Sequence, residues 1–235
     1  MKKYWIVAVV ILITGCQPST DLSSIIRKSK EIHGGNRYLE VKSIEYQKEI
    51  WALAPANDTI SHHVEWHYVD FENNHASMTW NKDSIRWVAK RIHDKIEVTQ
   101  NGTPIENSET LEQLRRRVDG AQFVFWQPFK FINDTSKKEY VGKKTLFNGW
   151  KVYQVVCQYP ESPDRWYFFF DQETFQLRAT GVWHNQRYSL ITNDRQETET
   201  GLLLHHERNS YFTDSLFQPK QKSTTYRYRI KNIQF

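Results

Sequence analysis

The sequence predicts a mainly β protein of the α+β class, built on a single antiparallel sheet with few helices. Three observations point there. Turn residues recur at intervals of about 8–12 positions along most of the chain, the spacing of short sequential strands. Trp, Tyr and Phe make up 14% of the residues while Ala occurs only eight times, a balance that disfavours a helical bundle. Helical spacing of apolar residues is confined to two stretches. The mean hydropathy of −0.72 is compatible with a real core, because that scale rates Trp and Tyr poorly although both bury large areas. A chain of 235 residues needs no disulfide or metal to hold such a core.

The N-terminus reads as an address. Lys2 and Lys3 precede a short apolar run that ends Ile13-Thr14-Gly15-Cys16. At about ten residues, or roughly 15 Å of helix, the run is too short to span a bilayer and has the order of a secretory signal. Its ending resembles a bacterial lipobox, which implies cleavage before Cys16 and lipidation of its thiol. Cutting there removes fifteen of the 235 residues and two lysines, so 220 residues with a net charge of +3 remain. Residues 16–21 then form the lipidated Cys and a short tether, and 22–235 a single domain. With Cys16 acylated, Cys157 has no partner for an intrachain disulfide. Gln17 follows the Cys where the enterobacterial sorting rule places Asp for inner-membrane retention, which implies an outer-membrane anchor in the cell envelope. Export also removes the chain from nucleic acid.

The first element of the domain is a helix. Thr20 or Asp21 caps it, Leu22, Ile25, Ile26, Ser29 and Ile32 share a face, and His33-Gly34-Gly35 ends it. A second helix is predicted over residues 108–119. Leu111, Leu114 and Val118 line one side, Glu109 and Glu112 lie in the first turn, and Arg115, Arg116 and Arg117 in the last, matching the helix dipole.

Strands account for most of the rest. Asn73-Asn74, Asn81-Lys82-Asp83, Asp94-Lys95, Asn101-Gly102 and Asn148-Gly149 mark their turns. Between Ile60 and Asp70, Val64, Trp66 and Tyr68 alternate with His63, Glu65 and His67. The three polar residues either face solvent or supply two ligands to a metal completed from elsewhere. His205-His206-Glu207 is weaker, since adjacent strand residues face opposite ways. Residues 150–159 and 224–235 also alternate as strands.

Two segments break the alternation. Trp166-Tyr167-Phe168-Phe169-Phe170 is aromatic at every position, so both faces of that strand should be covered. Residues 123–131 hold five aromatics around Pro128, which excludes a central strand; a short helix ending at Gln127 or an extended plug across a cavity both fit. These aromatics either fill an ordinary core or line an apolar pocket.

Lipobox, helix ending in His33-Gly34-Gly35, long meander, the aromatic interruption Trp126-Gln127-Pro128-Phe129 and a strand pair leading to Asp171-Gln172-Glu173-Thr174 together resemble the LolA/LolB-like lipoprotein-carrier superfamily. More narrowly, the layout is similar to envelope lipoproteins of Bacteroidetes with that fold. The resemblance covers residues 21–235. It implies a sheet curved into an incomplete barrel, with the N-terminal helix and one or two short helices on its concave side. It further implies a cavity there for a lipid or the acyl chains of a lipoprotein. The expected lining is Trp126, Phe129, Phe131, Trp166, Phe168 and Phe170. The chain should act as a monomer, held to the membrane by its anchor.

No phosphate-cradling loop, zinc-protease helix or Gly-x-Ser-x-Gly elbow occurs, and no cofactor, metal or catalytic residue is assigned. A non-enzymatic apolar-ligand binder is therefore the leading expectation. The alternatives are a glycan- or protein-binding module using exposed aromatics, and a structural lipoprotein without a small ligand.

Overall fold

The computed structural model describes residues 21–160 and 162–235. Cys16 and the expected signal segment lie outside them. After helix α1 (Leu22–Ile32) and a 3-10 turn (Arg37–Glu40) come β1 (Ser43–Leu53), β2 (Thr59–Asp70), β3 (His75–Lys82), β4 (Ile85–Ile92), β5 (Lys95–Gln100) and β6 (Thr103–Pro104). Helices α2 (Ser108–Phe125) and α3 (Phe129–Asn133) follow. The chain then returns as β7 (Lys137–Thr145), β8 (Lys151–Gln158), β9 (Arg165–Asp171), β10 (Leu177–His184), β11 (Arg187–Glu197), β12 (Leu204–Thr213) and β13 (Pro219–Gln234).

All thirteen strands belong to one antiparallel sheet in the order β6-β5-β4-β3-β2-β1-β13-β12-β11-β10-β9-β8-β7. The first and last strands meet at its centre, and the sheet does not close. Its edges are β6 and β7, and the chain passes between them through α2 and α3. That connection lays the helices across one face. Among the described residues no helix is long and apolar enough to cross a membrane.

Local chemistry explains the boundaries. The Asp21 carboxylate accepts from the Ser24 amide at 2.7 Å and starts α1. Gly34 ends it at φ +123°, where a Cβ would also lie 2.6 Å from Leu202 Cδ2. Asn107 caps α2 through the Thr110 amide at 2.8 Å. Asn101-Gly102 turns with both φ positive, as a two-residue hairpin requires.

Helix α2 runs six residues beyond the predicted 119. Buried Phe125 and half-buried Phe123 extend its apolar face past Gly120, so tertiary packing overrides the stop signal. The arginines consequently sit mid-helix: Arg115 pairs with Glu112 and Asp119, Arg116 with Glu112, and Arg117 reaches the sheet.

The doubly aromatic strand is covered on both faces. Phe168 and Phe170 of β9 pack beneath Ile25 of α1 and Phe131 of α3. Tyr167 and Phe169 meet Phe217 from the β12–β13 loop on the other side, with ring centroids at 4.8 and 5.2 Å. Gly181 makes room for that cover, since a Cβ there would lie 2.5 Å from the Phe217 ring.

Candidate ligand-binding face

The helical layer divides the concave face into three zones. Under α2, Met78, Ala76, Ala89, Val98 and Trp80 pack against Val118, Leu111 and Leu114. At the centre, Tyr46 of β1 stacks on Phe125 at 3.8 Å, and Trp126 packs against Phe71 and Phe129 at 4.9 and 5.2 Å. Phe129 stacks on Tyr38 at 4.4 Å. Toward β8–β10, Phe131 lies 4.2 Å from Phe168 and 5.6 Å from Phe170, ring centre to ring centre.

The six residues expected to line a cavity are thus separated into different settings. Trp126 and Phe129 belong to the central cluster, and Phe131, Phe168 and Phe170 to the next one; all five are buried among protein side chains. Trp166 is different. It is half-buried, has Phe123 of α2 at 5.3 Å, and lines an open groove of about 620 Å³ with Val182, His184, Arg187, Ser189 and Phe212. The pairing explains how these meet: Trp166, Val182, Ser189 and Phe212 are successive cross-strand partners over β9, β10, β11 and β12. Only register brings them together, so no local motif announces Val182, Ser189 or Phe212.

A second row of the same ladder runs Phe168, Thr180, Ile191, Ser210, one residue pair closer to the helices. Thr180 donates its hydroxyl to Gln127 Oε1 at 3.1 Å, fixing the turn between α2 and α3, while Ile191 and Ser210 stay half-buried. The third row pairs Asn193 with Arg208, both fully covered. Along these rows the concave face goes from open and apolar to closed and polar.

Two members of the polar triad of β2, Glu65 and His67, face inward and not toward solvent, while His63 stays half-exposed. Glu65 and His67 are buried, whereas Trp66 on the opposite face is 45% exposed. The inversion has a physical cause: the sheet supplies partners. His67 Nε2 lies 3.0 Å from Glu65, Lys48 Nζ 3.5 Å, His63 Nε2 3.7 Å, and Arg117 descends from α2 to 2.5 Å. Burial alone would raise the Glu65 carboxyl, but the His67 hydrogen bond and the Lys48 and Arg117 charges hold it well below the usual carboxylate range. Burial lowers His67, against the pull of Glu65. Among the described residues no group of His, Cys, Asp or Glu forms a metal cage. The triad is an ion-pair tie between α2 and the sheet.

His33 makes a comparable tie for α1. Its Nδ1 donates to the Ser29 carbonyl at 2.7 Å and its Nε2 accepts from the Leu177 amide at 3.3 Å, a neutral ring with both nitrogens used. Burial lowers its pKa to about 4 although the Ser29 bond opposes the shift. Cys157 is a buried thiol 2.8 Å from Ser136 Oγ, pushed up by burial.

An open antiparallel sheet wrapped on helices, with an apolar concave face, is a LolA-like fold. Among solved structures, a LolA superfamily protein from Nitrosomonas europaea superposes with a TM-score of 0.58 at 10% identity, over 92% of this chain and 94% of that one. A DUF1329 family protein from Desulfovibrio piger superposes at 0.53 with 8% identity, over the same shares of the two chains. No protein-family model matches the sequence, and no curated protein matches it.

Proposed function

We propose that the protein is an envelope lipoprotein that binds an apolar ligand, a lipid or the acyl part of a lipoprotein, on its concave face. The observation that carries this reading is the groove of Trp166, Val182 and Phe212, which leaves apolar surface open on the inner face of a LolA-like sheet. Binding is driven by burying acyl methylenes, at about 0.8 kcal/mol each. Nothing in this role requires chemistry on the ligand, so the protein is a binder and not an enzyme. Cys16, by its lipobox context, anchors it, and Gln17 favours the outer membrane. The tether of residues 16–21 keeps the domain within about 20 Å of the headgroups.

The test is a soluble, exported form in which a cleavable signal without a lipobox is joined directly to Gln17, purified without detergent from the periplasmic fraction. Its organic extract should contain lipid in near-stoichiometric amount, and adding a fatty acid to the stripped protein should change Trp fluorescence. A clean extract together with an unchanged emission spectrum would sink the proposal.

A further inference from the structure

Arg208 is a buried cation that its protein surroundings leave partly unsatisfied. It is 1% exposed on β12, next to Asn193 of β11 and Tyr226 of β13 in the register. Its Nη1 donates to the Val124 carbonyl at 3.2 Å, one of the last carbonyls of α2, which lack a helical partner. Its Nε and Nη2 meet no acceptor among the described residues. Those two nitrogens form one edge of the guanidinium, the parallel pair that matches the two oxygens of a carboxylate. Folded proteins rarely leave such a group buried without a partner, because the desolvated charge is costly. Asn193 alongside is half satisfied: its amide donates to the Leu177 carbonyl at 2.8 Å, and its Oδ1 has no donor.

The ladder connects this group to the open groove. Arg208, Ser210 and Phe212 lie on one face of β12, each beside its β11 partner Asn193, Ile191 or Ser189. Four residues of strand cover about 13 Å, a span that roughly twelve saturated carbons bridge at bond lengths near 1.5 Å. The row of side chains that a bound chain would follow begins at covered Arg208, passes half-buried Ile191 and Ser210, and reaches the groove at exposed Phe212 beside Trp166. Helix α2 borders both ends, through the Val124 carbonyl at Arg208 and the Phe123 ring at Trp166.

We infer that Arg208 is the headgroup site for a long-chain carboxylate, whose two oxygens pair with Nε and Nη2 while its chain runs past Ile191 to the groove of Val182, Trp166 and Phe212. The inference rests on the apolar-ligand reading above and names the class of ligand. Val124 keeps its bond to Nη1, so the carboxylate adds to the helix cap and does not replace it.

The experiment compares dodecanoate, dodecan-1-ol and dodecyl phosphate on the delipidated full chain, by calorimetry and Trp fluorescence. Wild type should bind dodecanoate at least about tenfold more tightly than the alcohol, the scale of one charge-assisted fork. Arg208→Gln should bring the two within about twofold, and Arg208→Lys should restore part of the preference without the fork. Phe212→Asp, at the exposed end, should weaken the acid and the alcohol alike, which keeps the path testable if the Arg208 variants fail to fold. Equal binding of acid and alcohol by wild type would overturn the headgroup assignment, leave Arg208 as a helix cap, and leave the apolar-ligand reading standing. Tighter binding of the phosphate than the acid would also overturn it. If none of the three binds, the apolar-ligand reading falls as well.

Discussion

The two halves of the sheet use the same strands in opposite ways. From β1 to β5 the inner face is covered by α2 and the central aromatic cluster, while the outer face meets water, as the 45% exposure of Trp66 shows. From β8 to β10 the sheet is covered twice, by α1 and α3 inside and by Phe217 and Leu146 outside. The first half alternates and the second does not, as one-sided and two-sided burial require. The difference teaches that aromatic residues are not equivalent here: from Tyr167 to Phe170 the rings of β9 are sealed on either face and only Trp166 at its start opens to the groove, whereas Trp66 on β2 stands in solvent.

The sharpest way to break this contrast is a matched pair of truncations. Phe168→Ala removes a fully buried ring beneath Phe131 and should cost about 3–5 kcal/mol in chemical denaturation. Trp66→Ala removes a larger ring from the exposed face and should change stability by less than about 1 kcal/mol. Similar losses would mean that the outer face of β2 is covered after all.

The first half carries its own buried cost, concentrated at Glu65. Glu65→Gln keeps the shape but removes the charge that Lys48 and Arg117 share, and should destabilise by about 3 kcal/mol. Its effect should exceed that of Arg117→Gln, because Arg117 is 39% exposed and leaves Lys48 and His67 still in contact with the carboxylate. The reverse order would show that the tie to α2, and not the buried charge, dominates.

In the second half the matching device is His33, and it responds to pH. Its folded pKa of about 4 lies below the unfolded value near 6.5, so between those values the unfolded chain binds more protons. Its contribution is fully present above pH 6.5 and is lost as pH falls through that window, on the order of 3 kcal/mol in all. His67 and His205, also lowered by burial, act in the same direction. Denaturation midpoints that stay flat from pH 7 to pH 4.5 would contradict a buried neutral His33.

Much of this architecture was legible because it depends on local patterns. The cap and double glycine around α1, the Asn-Gly turns and the unbroken aromatic run on β9 each carry their physical reason in a few adjacent residues. The inward turn of Glu65 was not legible, since its partners Lys48 and Arg117 come from another strand and from a helix 52 positions away. The groove was hidden for the same reason: Trp166 stood out as an aromatic, but Val182 and Phe212 acquire meaning only through register. Helix α2 outran its predicted end because burial of Phe123 and Phe125 outweighs one glycine.

The hairpin joining β10 to β11 marks where such legibility fails, and it gives the smallest test. Its turn is Asn185-Gln186, with φ of 46° and 61°, and Asn185 borders the groove. Asn tolerates that left-handed conformation, but Gln does not favour it, so the pair does not read as a turn. What holds Gln186 there is the flanking ladder, Trp183 to Tyr188 and His184 to Arg187. Gln186→Gly should therefore stabilise the protein by about 0.5–1 kcal/mol, the relief of a left-handed side chain less the entropy that glycine adds to the unfolded state. Groove binding should be unchanged, because Gln186 is not among the groove's lining residues. A loss of stability would mean that the Gln186 side chain makes a contact that sets the hairpin, and the twice-covered half would then owe its register to the turn and not to its core.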